Sequence, residues 1–349
     1  MSDEQPPLIV NALIVHRSSL IAGQNMLIPL VQNETLKLLR RKRFAIVVAI
    51  LFAILSIVAF AQYRQLKQAS PNWRADLQER IARMENRLRR GRTDDVWSRS
   101  MRAELRRLQF YLDRGINPEQ PTAPLVVRTF ANAAGFLLLP LLVAILGSDI
   151  VSAENAEGTD KLLLTRPVRR WKILTAKLIT LWLFASLTLI TGAVLAYAVT
   201  APVLPAGGWD APWFTGFTVT GDSVSLDAVR QLPLWQDTLL AYGLTWYALM
   251  AVASIALMLS VIFKSSAASI GTMLASLIGG TILARISPEW TAGKYLFVSA
   301  LPLADYYTGT QAPPYDGMSM TFCIALLGSW AVAALVTAYA MFLKRDVFG

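Results

Sequence analysis

The chain has 349 residues, 54% of them hydrophobic and 16% charged, with a net charge of +10; a soluble chain carries about 25% charged residues, so this composition points to an integral membrane protein. The basic excess in so apolar a chain reads as anchoring at membrane surfaces rather than nucleic-acid binding. A single cysteine (Cys323) and a single histidine (His16) exclude an internal disulfide, a histidine metal cluster and a histidine triad.

Residues 1–25 show little pattern; the apolar run 8–15 is brief and follows an acidic start, so no cleavable signal peptide is read there, and Met26 reads as an alternative start. Residues 26–43 alternate apolar and polar and end in Arg40, Arg41, Lys42 and Arg43. Leu27, Leu30, Val31, Leu38 and Leu39 form an apolar face, as in a helix lying in the membrane interface. A bilayer core of about 30 Å needs roughly 20 apolar residues, and six stretches qualify: 44–62, 125–147 (with Pro140 inside it), 173–202, 238–263, 267–283 and 320–343. Between the first two, residues 63–124 carry helical stripes at Leu77, Ile81, Met84, Leu88 and at Met101, Leu105, Leu108, Leu112. Gly91 to Asp95 offers the turn between them, and Gly115 and Pro118 end the second, so this segment is expected to be an extracytoplasmic helical hairpin. Two readings stand for it: a solvated cap, or a surface that handles substrate or a partner. Segments 203–237 and 284–319 are expected to be outer loops, the second with Trp290, Tyr295 and Pro302 in a lid of short helices. In the fifth span Ala267, Gly271, Ala275 and Gly279 form one row and Ala268, Thr272, Ser276 and Gly280 another. Such rows let backbones approach closely; they are read as packing inside one bundle, with sliding or sealing at a dimer interface or translocation path as the alternative.

Orientation follows the basic residues. Lys37 and 40–43 precede the first span; Lys161, Arg166, Arg169, Arg170 and Lys172 follow the second; Lys264 lies between the fourth and fifth; Lys344 and Arg345 follow the last. Both termini are therefore expected in the cytoplasm, with residues 344–349 as the tail. Residues 63–124 disagree, with 14 basic and 8 acidic residues outside, but long loops are translocated largely regardless of charge.

The link 148–172 is the most informative stretch. Glu154 and Glu157 lie three apart on one helix face. Gly158 and Thr159 interrupt or re-cap that helix, and Asp160, Lys161, Leu162, Leu163 and Leu164 make a short amphipathic turn. Pro167 ends it, and Arg169, Arg170 and Lys172 anchor the entry to the third span. A projecting helix with an apolar tip and charged rim is suited to a groove on a partner. No Gly-x-x-x-x-Gly-Lys-Ser/Thr loop occurs, so the chain does not hold nucleotide in that manner. Arg128 and Lys177 sit near span ends, where long stems are expected to snorkel to the interface; with no ionisable group mid-span, an ion-coupled secondary carrier is disfavoured.

The run Glu154, Glu157-Gly158-Thr159, Leu163-Leu164, Pro167, Arg170, Lys177, together with Asn33-Glu34-x-x-Lys37 ahead of the first span, resembles the permease subunits of ABC-2 type exporters. The resemblance covers the chain from residue 26 onward and implies an all-α permease of six transmembrane helices that hydrolyses nothing itself. It implies a pair of such chains, homo- or heteromeric, in lipid, working with two copies of a separate ATPase subunit that binds ATP-Mg. It implies that Gly158 to Leu164 is the coupling helix, with Glu154 and Glu157 in the helix just before it and Arg166 to Arg170 holding the link at the membrane. The large 63–124 segment departs from the simplest members of that family. A membrane sensor or scaffold working through the hairpin is the other reading.

Overall fold

The computed structural model describes residues 27–40, 42–68, 72–90, 96–118, 120–148, 150–156, 168–220, 223–286, 290–309, 311, 313–315 and 317–344. Helix α1 (Leu27–Arg40) is separated from α2 (Arg43–Gln68) by Lys42, whose φ of 55° places it in the left-handed region. That conformation costs an ordinary residue about 1–2 kcal/mol and stops helix propagation, so α1 and the first span are two bodies. Along α1, Leu27, Leu30, Val31 and Leu38 turn inward as their spacing predicts; Glu34 sits in the middle of that face, 5% exposed, while Leu39 turns outward. The helix lies against the third span and the start of the first.

Among the described residues, five helices are long and apolar enough to cross a membrane: α2, α8 (Arg170–Thr200), α9 (Leu234–Ile262), α10 (Ser266–Ile286) and α12 (Met320–Lys344). The second span differs from the continuous helix expected. It consists of α5 (Ala123–Phe136) and α6 (Leu138–Gly147), bent by 57° at Leu137. Pro140 is the cause: it has no N–H for the Phe136 carbonyl and its ring crowds that oxygen. The second half restarts so that Pro140 falls in its first turn, where no donor is needed.

The fourth span, α9, is the hub. Of its apolar window 72% is buried inside the chain, against 22% for the first and last spans. Its buried positions are mostly small or branched (Ala241, Ala248, Ala251, Val252, Ala253, Ala256), which lets α5, α6, α8 and α12 come close. In α10 the buried face is Ser269, Met273, Leu277 and Thr281. This corrects the expectation that its small residues pack inside the bundle: Ala267, Gly271, Ala275 and Gly279 face outward, and a Cβ on Gly271 or Gly279 would meet nothing within 4 Å. The reason is size, since Met273 and Leu277 on the opposite side have more apolar area to bury. In the second row Thr272, Ser276 and Gly280 are half-buried, and a Cβ on Gly280 would lie 2.9 Å from a Val298 methyl.

On the side away from α1, helices α3 (Trp73–Arg90) and α4 (Val96–Asp113) pack on each other through Leu77, Ile81, Leu108, Met84 and Leu112; the turn at 91–95 lies outside the described residues. Residues 203–237 contain strands that the sequence reading leaves as loop. Strand β1 (Pro212–Thr215) pairs antiparallel with β4 (Arg230–Pro233), in register Trp213 with Leu232, and β2 (Thr218–Thr220) pairs with β3 (Ser223–Ser225). The helical pair rests on these strands. Phe110 and Tyr111 meet Phe214 at ring distances of 5.1 and 5.2 Å, and the Phe214 N–H donates to the Tyr111 hydroxyl at 3.0 Å. Beyond them, two 3-10 turns (Thr291–Tyr295, Phe297–Ala300) and α11 (Leu303–Thr308) dip into the bundle, burying Phe297, Val298, Leu301 and Leu303. Gly309 ends α11 at φ 71°; a Cβ there would lie 2.1 Å from the Phe217 carbonyl oxygen, so glycine is required where the two outer segments touch.

Candidate functional site

Where α1 crosses the third span, four charged side chains from three parts of the chain close into a ring. Lys177 of α8 donates to Glu34 Oε2 at 2.9 Å, pairs with Glu154 Oε2 at 2.8 Å, and donates to the Ile150 carbonyl at 3.1 Å. Lys37, one turn beyond Glu34 on α1, reaches Glu34 Oε1 at 2.8 Å and Glu154 Oε1 at 2.9 Å. Each carboxylate thus bridges both ammonium groups. All three Lys177 donors are satisfied, and the ring is neutral. That neutrality is what permits burial: Lys177 is 1% exposed, and an unpaired ion there would cost several kcal/mol.

The electrostatics follow the geometry. Burial pushes the Glu34 carboxyl up, but the Lys177 and Lys37 ammonium groups outweigh it and hold it below its ordinary value. Burial pushes Lys37 down, and the hydrogen bonds and charges of Glu34 and Glu154 raise it above its ordinary value.

Glu154 belongs to the short helix α7 (Ser152–Ala156), which follows the second span. Its start is held by the fourth span: the Ser260 hydroxyl accepts from the Val151 and Ser152 N–H groups at 2.8 and 3.0 Å. The root of the 148–172 link is therefore clamped to α1, α8 and α9 at once. At its far end Arg170 donates to the Leu343 carbonyl at 3.4 Å, joining the link to the last span. Of the residues singled out in the link, Glu154 and Arg170 are placed; Glu157, Gly158, Thr159, Asp160, Lys161, Leu162, Leu163, Leu164, Arg166 and Pro167 lie outside the described residues.

Snorkelling, the expectation for Lys177 and Arg128, is corrected. Arg128, also 1% exposed, forms an ion pair with the fully buried Asp237 at the opposite end of the bundle, donates to Asn132 Oδ1 at 2.6 Å, and lies over the Trp213 ring at 5.9 Å. Both cations are sequestered because a carboxylate on a neighbouring helix stands at the same depth. The available signal was Glu34 itself: an acid on the apolar side of an interfacial helix needs a cation to face.

The buried ring ties the root of the link between the second and third spans to a bundle of membrane-spanning helices, so the fold and the site define a multi-pass integral membrane protein. The sequence matches the family described as "ABC-2 family transporter protein" over residues 28–347, and the chain belongs to that family, as the membrane component of an ATP-binding cassette transporter. It is 27% identical over 321 residues to "Uncharacterized protein YhcI" of Bacillus subtilis (strain 168), an alignment covering 91% of this chain and 98% of that one. It is 29% identical over 215 residues to "Uncharacterized membrane protein YdbK" of the same organism, covering 60% of this chain and 78% of that one.

Proposed function

We propose that this chain is the permease subunit of an exporter in the cytoplasmic membrane and that the link 148–172 is the lever on which a separate ATP-hydrolysing subunit pushes. The ring of Glu34, Lys37, Glu154 and Lys177 carries the proposal. Glu154 lies three residues ahead of the 157–167 stretch, and it is bonded to both the interfacial helix and the third span. Buried charge pairs have two discrete arrangements, joined or parted, rather than a continuum, so such a ring suits a two-state switch. In this reading Gly158 to Leu164 docks on the ATPase, Glu157 and Arg166 flank the contact, Pro167 ends it, and ATP-Mg is bound by the partner alone.

The link side is the cytoplasmic side, with both termini there. Two permease chains and two ATPase copies complete the transporter, and the outward row Ala267, Gly271, Ala275, Gly279 offers a face on which two permeases approach closely. In reconstituted transporter, Glu157→Lys is expected to leave the chain inserted and basal ATP hydrolysis intact while transport falls at least tenfold. Undiminished transport by that variant contradicts the lever.

A further inference from the structure

A cleft of about 800 Å³ opens where the first span leaves the membrane beneath the helical pair. Its walls are the end of α2 (Phe60, Arg64), one face of α3 (Trp73, Leu77, Arg80, Arg83) and Asn117, Gln120 and Pro121. The volume lies in the range of about 300–1,000 Å³ typical of ligand sites.

The chemistry of the walls is graded along the span. Ile57 and Phe60 are 69% and 63% exposed on the flank of the first span. One turn further, the Arg64 guanidinium lies 6.0 Å from the Phe60 ring centroid, and among the described residues it makes no salt bridge. Arg80 and Arg83 stand beyond it on α3. Arg83 pairs with the exposed Glu79, and Arg80 lies 3.8 Å from Glu104. Asp76 also lines the cleft, so the three guanidiniums face one lining carboxylate. An apolar flank, then an aromatic ring, then guanidinium groups is the order of parts an anionic amphiphile presents: tail, glycerol, phosphate. Guanidinium forks match phosphate oxygens two at a time.

We propose that this cleft binds an anionic phospholipid from the leaflet on the helical-pair side, its phosphate on Arg64, Arg80 and Arg83 and its chains along Ile57 and Phe60. The assignment also gives a use to three of the 14 basic residues that stand against 8 acidic ones in 63–124, a surplus that charge-directed insertion leaves unused. It holds whichever way the chain is inserted and does not depend on coupling to an ATPase.

The test uses the full-length chain in detergent, offered equimolar dioleoyl phosphatidylglycerol and dioleoyl phosphatidylcholine, with retained lipid counted by native mass spectrometry. The wild type is expected to retain phosphatidylglycerol at least about fivefold over phosphatidylcholine. Arg64→Gln is expected to lower that preference at least about threefold, and Arg64→Gln/Arg80→Gln/Arg83→Gln to remove it, with sn-glycerol 3-phosphate failing to displace the lipid. Equal retention of the two lipids by the wild type, or an unchanged preference in Arg64→Gln, overturns the proposal. Displacement by glycerol phosphate also overturns it, in favour of a soluble phosphate ligand. Arg64 is exposed and among the described residues makes no salt bridge, so the single variant decides the matter should the triple variant fail to fold.

Discussion

Lys177 persists inside an apolar bundle because two carboxylates and a carbonyl meet its three donors, and taking any of them away leaves a buried charge unmatched. Lys177→Met is therefore expected to destabilise the chain by about 3–5 kcal/mol, the usual cost of breaking a buried pair from one side. Neutralising a stranded partner in Lys177→Met/Glu34→Gln is expected to restore part of that loss, because Lys37 then balances Glu154 alone. Thermal unfolding of the purified variants checks both; equal melting temperatures for wild type and Lys177→Met would show the ring to be energetically idle. The pH dependence follows from the two shifts. The Glu34 carboxyl is lowered from 4.5, so its contribution is present above that value and is lost as pH falls through the lowered one. Lys37 is raised from 10.5, so its contribution is present below that value and is lost as pH rises through the raised one. Stability is thus expected to be level through the neutral range and to drop at both ends, measured as melting temperature against pH. The residue types of this site were visible in the sequence as Glu34-x-x-Lys37, Glu154 and Lys177. Their meeting was not, because residues 34, 154 and 177 come together only when α1 folds back across the third span, and span-end lysines elsewhere do snorkel.

Among elements, the all-α membrane-spanning class is legible because long apolar runs without charge have few alternatives in a bilayer. Two local features went unread. Pro140 fixes a break at Leu137 that a hydropathy window smooths over. The strands at 212–233 carry a legible signal: aromatic and β-branched residues cluster in Trp213-Phe214-Thr215 and Thr218-Val219-Thr220, with Gly221-Asp222 ahead of Ser223. Runs of three or four residues are too short for a period of two to separate strand from loop. The fifth span yields an element-scale prediction. A Cβ on Gly271 or Gly279 meets nothing in the chain, so Gly271→Leu/Gly279→Leu is expected to leave the isolated protomer within about 0.5 kcal/mol of wild type, as for surface changes. If two permeases meet on this face, disulfide cross-linking through Ala275→Cys in membranes is expected to fall at least threefold in that background. Unchanged cross-linking would move the pairing face elsewhere.

For the whole molecule, polar contacts sit at opposite ends of one hub helix. Ser260 holds the root of the link, which carries Glu154 of the ring, to one end of α9, while Arg128 pairs with Asp237 at the other end beneath Trp213 and the helical pair. A rigid α9 joined to both ends gives movement of the link a mechanical route to the far surface. The sidedness on which this reading rests predicts that single cysteines at Ser100 and Thr165 react with a membrane-impermeant maleimide from opposite faces of intact cells, Ser100 from outside; reaction of both from one face contradicts it. The most direct measurement is recovery of the driving subunit. Tagged full-length chain is purified from its native membranes with and without residues 158–164, and co-purifying P-loop ATPase is quantified by mass spectrometry. The ATPase is expected to accompany the intact chain and to be lost, at equal membrane insertion, with the deleted one; equal recovery from both would contradict a link that couples this permease to its ATPase.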